Sequence, residues 1–147
     1  MKILLFGKGF KQDNEVYLHT LISRLEKEKV ELFINVQYQK ILSEHSITVC
    51  KNCTTIATTQ ELKDAEVDYV ITLGGDGTIL EAVTLIYDLG IPILGINLGR
   101  LGFLAIIEKA KIERALDKLF SGNFTLAERT MLNLSGAEDL FGIHNYA

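Results

Sequence analysis

The stretch Gly74-Gly75-Asp76-Gly77-Thr78 constrains this chain more than any other. The apolar run Val67-Asp68-Tyr69-Val70-Ile71-Thr72-Leu73 precedes it, and Ile79-Leu80-Glu81-Ala82-Val83 follows it at helical spacing. A buried strand therefore breaks into glycines packed around one carboxylate and then opens a helix. Each glycine costs about 0.5–1 kcal/mol relative to alanine, because it gives up more backbone freedom on folding. A tight strand-to-helix turn would explain one glycine, for positive φ, and one Asp or Thr as a cap. It leaves the other glycines without a reason. Bare backbone N–H groups approaching phosphate oxygens at a helix N-terminus supply that reason, with the carboxylate facing the reacting group.

The rest of the chain alternates strand and helix. Residues 2–6 read as a buried strand, apolar almost throughout as central parallel strands are. The loop Gly7-Lys8-Gly9-Phe10-Lys11-Gln12 has Gln12 where a dinucleotide fingerprint needs its third glycine, so it matches G-x-G-x-x-G only weakly. Asp13 or Asn14 can cap a helix running to Lys29, with Leu18, Leu21, Ile22 and Leu25 on its buried face. Val30–Val36 is a second strand, and a short helix after it carries Tyr38, Ile41, Leu42 and His45 on one side, His45 as a partly buried packing residue. The β-branched stretch 47–57 has no firm place. Thr58 or Thr59 caps a short helix through Ala65. After the glycine loop a helix extends to Asp88, and Gly90 and Pro92 end it. Ile91–Ile96 is another buried strand, closed by a second glycine cluster, Asn97-Leu98-Gly99-Arg100-Leu101-Gly102-Phe103-Leu104. By itself that cluster could be a wide turn. Two glycine loops at the C-terminal ends of parallel strands instead point to a shared ligand crevice. A further strand over 103–107 and a helix from Lys109 to Phe120, with Ile112, Ala115, Leu116 and Leu119 inward, complete the pattern before Gly122. From Phe124 the text turns strand-like.

The expected fold is α/β, an open and mainly parallel sheet flanked by helices, over residues 1–122. Residues 123–147 read as the start of a second, β-rich domain. A chain of 147 residues suits one ordinary domain with a sizeable core, and a hydrophobic share of 48% argues against disorder. Fifteen basic against nineteen acidic residues give a net charge of −4, with no basic footprint for nucleic acid or an anionic membrane. The first residues are too short an apolar run for a signal peptide, and no run approaches the roughly 20 residues of a membrane helix. Cytoplasmic residence is expected. The pair Cys50 and Cys53 lacks the second pair of a structural zinc site and the strand-then-helix setting of a redox motif, so it reads as incidental thiols. No G-x-x-x-x-G-K-[ST] is present, which excludes a P-loop ATPase.

The pentapeptide together with the cluster Asn97–Leu104 closely resembles the NAD kinase family, and Glu128-Arg129-Thr130-Met131-Leu132 is similar to the segment by which those enzymes enter their second domain. Diacylglycerol and sphingosine kinases, and more loosely phosphofructokinases, carry loops like the first. Lipid kinases differ after the equivalent strand, typically with a proline and a Gly-Thr-Gly-Asn run. The resemblance covers about the first half of a typical family member. It implies phosphorylation of the adenosine ribose 2′-hydroxyl of NAD, with ATP or another phosphoryl donor and a divalent metal such as Mg2+, to give NADP. It implies Asp76 as the base that accepts the hydroxyl proton and Gly77 beside it against NAD. Gly74, Gly75 and Thr78 would shape the phosphate-facing loop, and Asn97, Gly99, Gly102 and Phe103 match the second motif, with Phe103 against the nucleotide. Metal ligands are not identified. Lys8, Lys11 and Arg100 are candidates for the donor phosphates by loop position alone. Some members carry Arg three positions after the loop's Thr, where this chain has Glu81. The family's Asn-Asp or Asn-Glu pair, which holds NAD, is expected just after Asn145-Tyr146-Ala147. The partners implied are small nucleotides and, for the full-length protein, further copies of itself. The alternatives are a lipid or sugar kinase sharing the loop, a nucleotide-binding fragment inactive on its own, and a dimerising α/β domain whose glycine loops are only structural.

Overall fold

The computed structural model of the protein describes residues 1–50 and 53–131. Along the chain it forms β1 (Lys2–Gly7), α1 (Glu15–Lys27), β2 (Glu31–Asn35), α2 (Val36–Glu44), β3 (Thr54–Ile56) and α3 (Thr59–Asp64). Then come β4 (Tyr69–Leu73), α4 (Asp76–Ile86), β5 (Ile93–Asn97), β6 (Ile107–Glu108) and α5 (Ile112–Phe120). The strands make one six-stranded sheet in the order β3-β2-β1-β4-β5-β6, and every pairing is parallel. The chain starts in the middle, works outward to β3, and crosses back to lay β4 on the other side of β1. That reversal is the topological switch point of a doubly wound sheet, where the loops leaving β1 and β4 diverge and open a crevice.

Successive strand residues point to opposite faces, and both faces are covered. Ile3, Leu5, Ile34, Ile71 and Leu73 pack under α1, α2 and α5, against Leu18, Leu21, Tyr38, Leu42, Ile112 and Leu116. Leu4, Phe6, Phe33 and Val70 face the other way, against Leu62 of α3 and Ala82 and Ile86 of α4. Arg24 fastens α1 to α5 through Asp117 at 2.7 Å, with its guanidinium 5.8 Å from the centre of the Phe120 ring.

Several boundaries differ from the expected ones for local reasons. Val36 opens α2 rather than closing β2, because the Asn35 side chain accepts from the amides of Gln37 and Tyr38 and caps the helix. The unplaced stretch 47–57 yields the edge strand β3, paired to β2. His45 is exposed at the end of α2, its ring 5.1 Å from that of Phe10. Helix α4 stops at Tyr87, which takes a positive φ of 55°, ahead of Gly90 at 64°. The strand expected over 103–107 shrinks to Ile107–Glu108, since the amides of 103–105 donate to a side chain instead of a ladder. Ala115 is only half-buried on α5. Cys50 and Cys53, read as incidental thiols, lie with their Cα atoms 5.7 Å apart ahead of β3. Residues 124–131 carry no strand, and the remainder of the expected β-rich segment, 132–147, lies outside the described residues.

Candidate functional site

The crevice at the switch point has a volume of about 280 Å³ and is lined by the three loops that leave β1, β4 and β5. From the first come Gly9, Lys11 and Asn14, from the second Gly74, Gly75 and Thr78, and from the third Asn97, Gly99 and Arg100. Among the described residues, no carboxylate lines it. Helix α4 begins at its edge with Gly75 as N-cap and no side-chain cap; the Thr78 amide turns back to the Gly75 carbonyl at 3.0 Å, and the amides before it in the helix have no side-chain acceptor.

The glycines of the pentapeptide divide by cause. A Cβ on Gly74 would collide with the Thr78 hydroxyl, so this glycine lets the loop fold onto its own helix. A Cβ on Gly75 or Gly77 would meet nothing within 4 Å. Neither has a positive φ. The fold thus gives no steric reason for glycine at these two positions in or beside the first helical turn, where alanine is the better helix former. The open space they leave suits close approach of a ligand to the backbone.

Asp76 looks away from the crevice. Its Oδ2 accepts from the amide of Phe103 at 2.8 Å, and its Oδ1 accepts from those of Leu104 at 3.0 Å and Ala105 at 2.9 Å. The amides of Ala105 and Phe103, and then that of Leu104, hold the carboxyl below the ordinary aspartate range against a smaller opposing effect of burial. Gly102 is required here, because a Cβ would land on the Asp76 carboxylate. Asn97, 2% exposed, ties the same loop from inside. Its Nδ2 donates to the carbonyls of Arg100 (2.7 Å) and Ala105 (3.3 Å), and its Oδ1 accepts from the Gly99 amide (2.8 Å). Asp76 and Asn97 clamp the loop between β5 and β6 from two sides, and Phe103 is thrust out of it at 94% exposure.

The residues singled out in the sequence therefore fall into two groups. Gly74, Gly75, Thr78, Asn97 and Gly99 line the crevice; Asp76, Gly102 and Phe103 form a second surface beyond the α4 N-terminus. Of the basic candidates, Lys11 and Arg100 line the crevice, while Lys8 forms an ion pair with Glu81 at 2.6 Å. Glu81 thus engages a lysine from the first loop. Sequence reasoning missed Lys109, which follows β6. Its Nζ donates to Asn14 Oδ1 at 3.0 Å and lies 4.9 Å from the centre of the Tyr17 ring. Nothing local marks that pairing. Among the described residues no group of three or more His, Cys, Asp or Glu side chains could hold a metal ion.

Comparison with known proteins adds the family. A profile of the ATP-NAD kinase N-terminal domain matches residues 10–124. The NAD kinase of Cytophaga hutchinsonii is 39% identical over 147 residues, which is 100% of this chain and 50% of that protein. The NAD kinase of Flavobacterium psychrophilum is 34% identical over 140 residues, 95% of this chain and 47% of that one. Among solved structures, yeast NADH kinase complexed with NADH superposes with a TM-score of 0.68 at 20% identity, covering 100% of this chain and 46% of that one. That likeness carries the fold. The chain spans about half the length of the curated relatives it matches.

Proposed function

The chain belongs to the NAD kinase family, and from that premise we propose that the whole protein transfers a phosphoryl group from ATP, or another phosphoryl donor, to the adenosine ribose 2′-hydroxyl of NAD and releases NADP. The observation that carries this reading is the pair of surfaces on either side of the α4 N-terminus: a crevice without carboxylates among the described residues, and beyond it the fixed Asp76 carboxylate beside an exposed Phe103. Donor phosphates occupy the crevice, against the bare backbone of Gly74 and Gly75 at the start of α4. The acceptor ribose approaches over Gly77, where nothing obstructs it, and Phe103 offers its ring face to the nucleotide.

Asp76 contributes as an ionised acceptor. A carboxylate has about four lone-pair sites. Three are taken by amides, which leaves one on Oδ2 for a hydroxyl. Amide donors that favour the ionised form make Asp76 a weaker proton acceptor than a free aspartate, but they fix its direction. That suits phosphoryl transfer, whose loose transition state demands alignment and charge neutralisation before strong nucleophile activation. Asp76 orients the hydroxyl and takes its proton late. Gly99, Gly102 and Asn97 act by shaping the loop that holds Asp76 and Phe103. A divalent metal, Mg2+ in this reading, supplies charge neutralisation when bound. The described residues do not by themselves form a resident site for it, and no step above is routed through it.

The same reading puts the domain limit at residue 122, with 123–147 leading into a second domain. It also makes the full-length protein a cytoplasmic homo-oligomer acting on small nucleotides, with no role for nucleic acid or membrane. No helix among the described residues is long and apolar enough to cross a membrane. NADP formation by the whole protein, measured with labelled ATP and NAD against a diacylglycerol panel, tests the assignment. Replacing Asp76 by Ala is expected to cut the rate by about 10²–10⁴, the range of a positioned acid–base group. Unchanged NADP synthesis by Asp76→Ala removes its role, and transfer to diacylglycerol in place of NAD would favour the lipid kinase. The 147-residue chain alone is expected to show little turnover in this assay.

A further inference from the structure

We infer that Asn14 and Lys109 form a coupled recognition pair for a polyphosphate chain in the crevice, with Asn14 as the contact and Lys109 as the residue that orients it. The inference rests on the crevice being the donor side of the proposed kinase site. Asn14 is 6% exposed and lines the crevice between the first and third glycine loops. It immediately precedes α1 yet makes no side-chain cap bond there, so its amide is not spent on the helix. Lys109 Nζ lies 3.0 Å from Asn14 Oδ1. An ammonium can only donate, so this contact settles which end of the amide is which: Oδ1 is turned to Lys109, and the NH2 group is left over. No hydrogen bond joins that NH2 group to any described residue. That group opens on the crevice, where a ligand or water can accept from it.

The surroundings specify the ligand's chemistry. Lys11 and Arg100 line the same crevice, no carboxylate is among the described residues that do, and Gly75, the N-cap of α4, lies at its edge without a side-chain cap. Lys109 adds a positive charge directly behind Asn14 and is itself held against the Tyr17 ring at 4.9 Å. Its charge polarises the amide and strengthens the NH2 group as a donor. An anionic oxygen with its neighbours in a chain, as in a triphosphate, fits a donor set spread over three loops. The pair spans 95 residues of sequence and bridges the loop after β1 to the turn after β6.

Titration calorimetry of the protein with inorganic tripolyphosphate, with ATP run beside it, tests the pair. Asn14→Ala and Lys109→Met are each expected to weaken tripolyphosphate by about tenfold, the size of one lost hydrogen bond to a charged group. Their double variant should be little weaker than either alone, because the two act as a unit. Asn14→Asp keeps the Lys109 contact and so the fold, as judged by melting temperature, but turns the donor into an acceptor; it should bind worst of the three single variants. Lys63→Met, on α3, should bind as wild type does. ATP is expected to bind more tightly than tripolyphosphate and to lose the same factors. Wild-type affinity in Asn14→Asp, or strictly additive losses in the double variant, overturns the pair. Failure of the kinase reading is separately visible, as tripolyphosphate binding that responds to these variants in a protein that does not phosphorylate NAD.

Discussion

A carboxylate that accepts three backbone amides at 2.8–3.0 Å is both a fastening and a fixed charge. The sign of its effect on stability follows from its pKa. Because the folded value lies below the ordinary value of about 3.9, the stabilisation is fully present above that pH. It disappears as the pH falls through the lower, folded value. Asp76→Asn keeps the shape but not the charge. It should melt below wild type at neutral pH, and the gap should close as the pH drops below about 4. Thermal melts at stepped pH check this, and a gap independent of pH would mean that the loop is held by shape rather than charge. At the same scale, the sequence showed that glycine was over-supplied in the pentapeptide but not why. The structure separates Gly74, needed so that the loop can meet Thr78, from Gly75 and Gly77, which clear open space.

At the scale of single elements, the helices that position the site begin in different ways. Helix α3 has a complete capping box: Thr58 Oγ1 accepts from the Glu61 amide at 3.2 Å, and Glu61 Oε2 accepts from the Thr58 amide at 3.2 Å. Thr58→Ala is expected to cost about 0.5–2 kcal/mol, read as a lower denaturant midpoint with an unchanged slope. Helix α4 has no such box, and its N-cap Gly75 lies at the crevice. The cap was legible to within one residue, Thr58 or Thr59, and the structure chooses Thr58, which stands three residues before Glu61. The end of β2 was not: Val36 has strand propensity, but Asn35 caps from within the apolar run. The residues 103–105 were misread as a strand for a related reason. Their apolar pattern suits a ladder, and only the Asp76 carboxylate, 27 to 29 residues earlier, explains where their amides go.

For the whole molecule, the sheet is the platform and its two covered faces are the source of cooperativity. Leu116 of α5 is fully buried in the face shared with α1, α2 and the central strands. Leu116→Ala should destabilise by about 2–5 kcal/mol, as large-to-small changes in close-packed cores do. Circular dichroism and tyrosine fluorescence should report one coincident unfolding transition, because the helices on this face share a core with the strands beneath them. Separate transitions would show that the α1–α5 layer unfolds apart from the sheet. The strand order that opens the crevice belongs to this scale, since it depends on β4 returning to the far side of β1.

The sequence by itself determined the alternation of strand and helix, the two-sided burial of the central strands and the presence of two glycine loops at strand ends. Those features are written in neighbouring residues, as periodicity, caps and backbone freedom. Only the tertiary structure decided that Asp76 faces the second loop rather than the crevice, that Glu81 answers Lys8, and that Asn14 meets Lys109 across 95 residues. Such pairs carry no local signature, because the surfaces that bring them together meet only once the sheet has ordered its strands.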